Sequence, residues 1–239
     1  MLNFEKPIYK ITEYVDSKHY GKFELEPLER GFGTTLGNAL RRIMLSSMPG
    51  SAIIAVKIDG VMHEFQTLDG IVEDVTTIVL NLKNVVLKNN STEIKKLRLF
   101  SDKEGVVTAG DIDTDSDVEV INKNQVIATI AKGGKLNMEV LVANGRGYVP
   151  SNENKKYLED QELGFIAIDA IYSPIERVSY EVENARIGQD ANYDKLIMEI
   201  STKGSIRPEE AMALAARIMI EHLNIITDLN EIADVTGIM

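Results

Sequence analysis

Residues 25–50 read LEPLERGFGTTLGNALRRIMLSSMPG. Gly31, Gly33 and Gly37 fall within seven residues, and a helical pattern follows that holds the adjacent Arg41 and Arg42. The spacing predicts a helix over about residues 35–47, capped by Thr34 or Thr35 and stopped at Pro49-Gly50. At about 100° per residue, Leu36, Leu40, Ile43, Met44 and Ser47 share one face. Asn38, Arg41, Arg42 and Leu45 share the other. A leucine between arginines has the composition of an interface patch; the plainer reading is a surface helix with one stray leucine. Glycines before a helix also raise the question of a phosphate cradle. The stretch lacks the Lys-Ser/Thr ending of a P-loop and the spacing of a dinucleotide fingerprint.

Outward from this stretch, strand patterns dominate. PIYKITEYV alternates roughly through Ile8, Ile11 and Val15. GKFELEPL places Phe23 and Leu25 on one face and Lys22, Glu24 and Glu26 on the other. SAIIAVKIDGVMHEFQT reads as strand, turn and strand. GIVEDVTTIVLNLKNVVL has helical spacing through Ile71, Val75, Ile78 and Leu82. A β-rich region follows, and the polar NENKKYLEDQELG reads as a mobile loop. FIAIDAIYSPIERVSYEVENARI returns to strand patterns, and DKLIMEISTKG alternates Leu196, Met198 and Ile200.

A last helix is expected from Pro208 to about Ile232, with Pro208 at its first position and Glu209 and Glu210 at the positive end of its dipole. Arg207 is an unusual residue to precede it. Ala211, Met212, Leu214, Ala215, Ile218, Met219, Ile220, Leu223, Ile225, Ile226 and Leu229 cover far more than half the circumference. Arg217, Glu221, Asn224 and Asp228 leave a narrow polar stripe. A helix docked on one core needs an apolar arc of only ~100° or slightly more. Such a helix is buried twice, against its own domain and against another subunit, or else lies at the centre of a monomer's core.

Composition narrows the function. The 239 residues, 44% apolar and 26% charged, support one large domain or two small ones. There is no cysteine, which excludes disulfides, zinc-thiolate sites and thiol catalysis. No apolar run reaches the ~18 residues of a membrane span, and MLNFEKPIYK has no signal core; a cytoplasmic location is expected. A net charge of -11 and the absence of tryptophan argue against a phosphate-gripping or base-stacking surface. DIDTDSD imitates a calcium loop, but Ser116 stands where the sixth-position Gly belongs and Asn122 where the final Glu belongs. His19, His63 and His222 lack ligand spacing, and His222 reads as a buried, hydrogen-bonded residue. No nucleophile–base pair is visible. No catalytic residue, metal or cofactor is expected in the chain.

Four motifs in order, the opening stretch, GRGYVP, YSPIERVSYEVENARIGQ and PEEAMALAARI, resemble the amino-terminal domain of bacterial RNA polymerase alpha subunits, over essentially the whole chain. The resemblance implies an α+β fold in which a discontinuous dimerisation subdomain, residues 1–48 and 174–239, is interrupted by an inserted β-rich subdomain, residues 49–173. The first subdomain would hold an antiparallel sheet and two interface helices. The implied role is a non-catalytic subunit of DNA-directed RNA polymerase, a nucleotidyltransferase, that homodimerises and scaffolds the beta and beta-prime subunits for transcription. Magnesium and zinc would belong to those large subunits, and no direct nucleic-acid or membrane contact is implied. The implied dimer residues are Phe4, Phe32, Leu36, Leu40, Ile43, Met44, Ala215, Ile218, Met219, His222, Leu223 and Ile226. The implied docking residues are Asn38, Arg41, Arg42, Leu45, Lys83, Ile168, Asp169, Arg177, Arg186 and Lys195. The family's promoter-binding carboxy-terminal domain is not expected within these residues. Two other classes compete, an enzyme using the glycine turn for phosphate and a nucleic-acid module using Arg41-Arg42. The missing catalytic groups weaken the first and the acidic charge the second.

Overall fold

The computed structural model describes residues 6–159, 161–187 and 190–227. In chain order the elements begin with β1 (Ile8–Val15), β2 (Tyr20–Glu29), α1 (Phe32–Ser46), β3 (Pro49–Ile58), α2 (Val75–Lys83) and β4 (Leu87–Asn89). Then come β5 (Lys95–Ser101), β6 (Gly105–Thr108), β7 (Ile112–Asp113), β8 (Val118–Val120), β9 (Val126–Ile130), β10 (Leu136–Arg146) and β11 (Tyr148–Val149). The rest are α3 (Ser151–Asn154), β12 (Ile166–Ala167), β13 (Ala170–Ile171), β14 (Ile175–Ile187), β15 (Asp190–Thr202) and α4 (Pro208–Thr227). The fold is α+β, and the sheet ladders among the described residues are antiparallel. Pro49–Pro174 makes one compact unit, and the chain on either side of it makes the other.

The discontinuous unit is a four-stranded sheet in the order β1-β2-β15-β14, with α1 and α4. Register explains its two faces. Phe23 pairs with Met198, Leu25 with Leu196, and Val178 with Ile200, so alternate residues of three strands meet on one side. That side is the core, completed by Leu40 and Met44 of α1 and Ala211 and Ala215 of α4. The other side is charged. Lys10 pairs with Glu26 at 3.0 Å, Lys22 with Glu199 at 3.1 Å and Lys195 with Glu24 at 3.0 Å.

The glycines of the opening stretch let α1 approach this sheet. A Cβ on Gly37 would lie 2.5 Å from the Tyr180 ring and 2.8 Å from Leu196; one on Gly33 would lie 2.8 Å from Val182. Gly31 holds a left-handed φ of 89° at the turn, which favours glycine. The helix begins at Phe32, before the expected threonine cap. Asp194 supplies the cap instead: its Oδ2 accepts the Gly31 N–H at 2.8 Å and the Gly33 N–H at 3.1 Å. Thr35 Oγ1 instead donates back to the Gly31 carbonyl at 3.1 Å. A carboxylate at a helix start also meets the positive dipole end.

Arg207 too has an explanation. Glu210 Oε2 accepts the Arg207 N–H at 3.3 Å, half of a capping box, while its Oε1 accepts the guanidinium Nη2 at 2.6 Å.

The other unit is a seven-stranded sheet, ordered β7-β5-β10-β3-β4-β8 with β12 beside β3, and two small two-stranded sheets, β6-β9 and β11-β13. Asp74 caps α2, its side chain accepting from Thr77 N–H at 2.7 Å, and Val75, Ile78, Val79 and Leu82 sink into the core. Two expectations fail here. Residues 61–67 form no strand, because Gln66 Oε1 accepts the N–H groups of Met62 and His63 and closes a turn. The polar stretch after Pro150 is not wholly a loop. Ser151–Asn154 and Lys155–Leu158 form helical turns, buried Asn154 donates to the Ile168 carbonyl at 2.8 Å, and Tyr157 and Leu158 pack on the core. The acidic turn is held by a lysine. Lys95 meets Asp115 at 3.2 Å and Asp117 at 2.5 Å.

Asp194→Ala should lower the stability of the discontinuous unit by about 2 kcal/mol, because the part-buried Gly31 N–H and the buried Gly33 N–H lose their shared acceptor. Urea unfolding followed by circular dichroism measures this; an unchanged midpoint would show that Asp194 does not hold the helix start.

Candidate functional site

The geometry of α1 follows from its glycine side. With Gly33, Gly37, Leu40 and Met44 on the sheet, the arginines fall on different flanks. Arg41 leans over β14 and donates Nε to the Val178 carbonyl at 3.2 Å. Arg42 turns the other way and lines a groove of about 560 Å3 with Thr35, Asn38, Ala39, Ile43 and Met219. The pair is therefore not one patch. Asn38 and Arg42 share a surface with Ile43 and Met219, so the expected division into a dimer face and an opposite docking face is too sharp. Leu45 is exposed on the remaining side.

The expected dimer residues separate by depth. Leu40, Met44 and Ala215 are buried in their own unit and keep no side-chain surface for a partner. This places them in the core and not at the surface, Leu40 and Met44 through the close approach of α1 at Gly33 and Gly37 and Ala215 through the docking of α4. Leu36, Ile43 and Ile218 are half-buried against that core, and Met219 is half-buried beside the groove. Phe32 is exposed at the start of α1. Phe4, Asp228 and Leu229 lie outside the described residues, as does the expected helix beyond Thr227.

Helix α4 does not carry one wide apolar arc buried along its length. Its first turns dock through Ala211 and Ala215. From Ile220 to Thr227 every residue is exposed. Ile220, Leu223, Ile225 and Ile226 are between 49% and 68% exposed. His222 is exposed as well, not buried as expected, although its Nδ1 lies 2.7 Å from the Ile218 carbonyl. Two helical turns without core contact are marginal alone, and four large apolar side chains on them form an unsupported patch.

In the inserted unit, Lys83 at the end of α2 meets Asp169 at 2.8 Å, and the other Asp169 oxygen accepts the Ser151 N–H at 2.8 Å. The Lys83 contact, then the Ser151 N–H, hold the Asp169 carboxyl below its ordinary pKa. Ile168 beside it is buried, its N–H donating to the Ile54 carbonyl at 2.9 Å, so it cannot be a docking contact through its side chain. Arg177 and Arg186 are exposed on β14. Lys195 is engaged with Glu24 on the charged sheet face, which raises its pKa.

Asp194 and Ser151, which position these surfaces, went unnoticed in the sequence. Each acts on a residue distant along the chain, and no local spacing marks either. Among the described residues no group of three or more His, Cys, Asp or Glu has metal-site geometry, and no helix is long and apolar enough to cross a membrane.

Residues 56–173 match the RNA polymerase Rpb3/RpoA insert domain. The whole chain aligns with a DNA-directed RNA polymerase subunit alpha of Oceanobacillus iheyensis at 54% identity, covering 76% of that protein. The corresponding subunit of Symbiobacterium thermophilum is 53% identical over the whole chain, covering 75% of it. That of Moorella thermoacetica is 54% identical over 97% of the chain and 72% of its own length. The chain belongs to the alpha-subunit family of bacterial DNA-directed RNA polymerase. Its setting is therefore transcription, within a nucleotidyltransferase complex. The surfaces described above are those of a polymerase subunit.

Asp169 gives a pH test. Its folded pKa is depressed, so its contribution is fully present above the ordinary aspartate value of ~3.9 and is lost as pH falls through the lowered value. Lys83→Met should therefore make stability of the inserted unit less dependent on pH below about 4. Thermal melts from pH ~5 to ~2.5 check this, a window set by that value; identical acid limbs in both proteins would rule the pairing out.

Proposed function

We propose that this chain is the assembly subunit of its polymerase. Two copies pair through the α1–α4 side of the discontinuous unit, and the pair holds the beta and beta-prime subunits. Catalysis, with magnesium and zinc, resides in those large subunits. The carrying observation is the run of exposed apolar residues from Ile220 to Ile226 on helical turns that have no core of their own.

Magnitudes set how large the interface must be. Burying an Ile or Leu side chain contributes about 2 kcal/mol, and association costs about 4–15 kcal/mol. The pair brings together eight such residues, four from each copy and each half to two-thirds exposed beforehand, and these roughly break even. A stable pair also needs Phe32, Ile43 and Met219, which the same helices present. Arg42 then stands at the rim of this surface, with its guanidinium free to make directed, charge-assisted bonds to a large subunit.

Leu223→Glu with Ile226→Glu should yield a folded monomer, since both side chains are exposed and carry no internal packing. Light scattering decides it: a double variant that keeps twice the chain mass would contradict this mode of pairing. Arg42→Ala should leave the pair intact and weaken capture of beta by about 2 kcal/mol, roughly thirtyfold. Co-purification of beta with wild-type and variant pairs checks that, and equal retention would discard the docking role.

A further inference from the structure

The inserted unit has a groove of about 450 Å3 that neither the pairing surface nor Arg42 uses. Met62 and Phe65 form one wall, Lys155 and Leu158 another, and Phe165 and Ala167 the floor; His63 and Glu64 also face it. Two observations single it out.

The first is the wall. Met62 is 84% exposed and Phe65 78%. The turn that carries them is nonetheless tied down. Gln66 Oε1 accepts from Met62 and His63. Thr76 Oγ1 donates to the Glu64 carbonyl at 2.8 Å, and Val75 N–H to the Gln66 carbonyl at 3.1 Å. The start of α2 thus holds the turn open with two large apolar side chains in water. Such a preorganised display has the character of an interface anchor, because little ordering cost remains on binding.

The second is the floor. Strand β12 pairs with β3 through Ile166↔Val56 and Ala167↔Ala55, and Ile168 N–H donates to Ile54. In an antiparallel ladder alternate residues direct their backbone groups to opposite sides. Ile166 and Ile168 therefore face β3, and Ala167 turns its N–H and C=O away. Among the described residues those two groups meet no hydrogen-bond partner outside the strand ladder, and Lys155 has no ion-pair partner. This is a short free strand edge between apolar walls with one unpaired ammonium.

We propose that the groove takes an extended apolar segment of another polymerase subunit. The segment adds a strand to the free edge of β12, seats an apolar side chain against Phe65 and Phe165, and sets a carboxylate on Lys155. The proposal rests on the reading of the chain as an assembly subunit.

The test uses wild-type and Phe65→Cys chains, alone and in assembled core polymerase. The chain has no cysteine of its own, so the introduced cysteine is its single thiol. Maleimide labelling of the alpha subunit should slow at least about tenfold on assembly, and amide exchange at Ala167 in the wild-type complex should slow likewise. Unchanged labelling or unchanged exchange at Ala167 in the assembled enzyme would overturn the proposal while leaving the assembly role standing. Protection already present in the isolated chain would assign the groove to a second copy and overturn it too. Wild-type alpha that fails to co-elute with the large subunits would instead sink the assembly role, and this proposal with it. A folded Phe65→Cys chain that no longer assembles, beside a wild type that does, would support it.

Discussion

The close approach of α1 to its sheet constrains the rest of the discontinuous unit. Tyr180, Leu196 and Val182 occupy the space where side chains at Gly33 and Gly37 would stand. The helix rotates only into the orientation that puts those glycines inward. Leu40 and Met44 follow them into the core, and Arg41 and Arg42 are sent to opposite flanks. Asp194 locks the start of the helix from a strand 161 residues after Gly33 in the chain. A glycine segment that looks like a phosphate cradle is thus a packing device whose N–H groups are already taken by a carboxylate.

The same constraint accounts for what the surface offers. Helix α4 docks through two alanines, which lets it lie close to α1, and then runs on beyond the core. An enzyme would have to build a polar constellation in a pocket. Here the groove between the two helices is largely apolar, with Arg42 at its edge. That chemistry suits protein association, where aromatic, apolar and arginine side chains dominate binding energy.

Period-based features were legible in the sequence. The alternation of Leu196, Met198 and Ile200 identified β15 and its buried face, and Pro208 with Glu209 and Glu210 marked the start of α4. The α+β class and the family followed from motifs spread along the chain. Features resting on long-range partners were not legible. Thr34 and Thr35 looked like caps because no local signal reveals that Asp194 lies above Gly31. The turn at Met62–Gln66 was missed for a different reason: its closing contact is local, but a single Gln66 side-chain oxygen, which composition does not mark, makes it. Leu40 and Ile43 looked equivalent on a helical wheel, yet the glycine contact buries one and leaves the other half-exposed. His222 read as buried because periodicity places it on the core side, and periodicity does not say where the core ends.

If two copies pair as proposed, the second copy covers the free turns of α4. The most direct measurement replaces Leu223 with a photo-crosslinking amino acid in a mixture of isotopically heavy and light chains. After irradiation, mass spectrometry should find heavy–light peptides joining position 223 to α1 or α4 of the other copy. Crosslinks confined to peptides of a single isotope, within one chain, would contradict it.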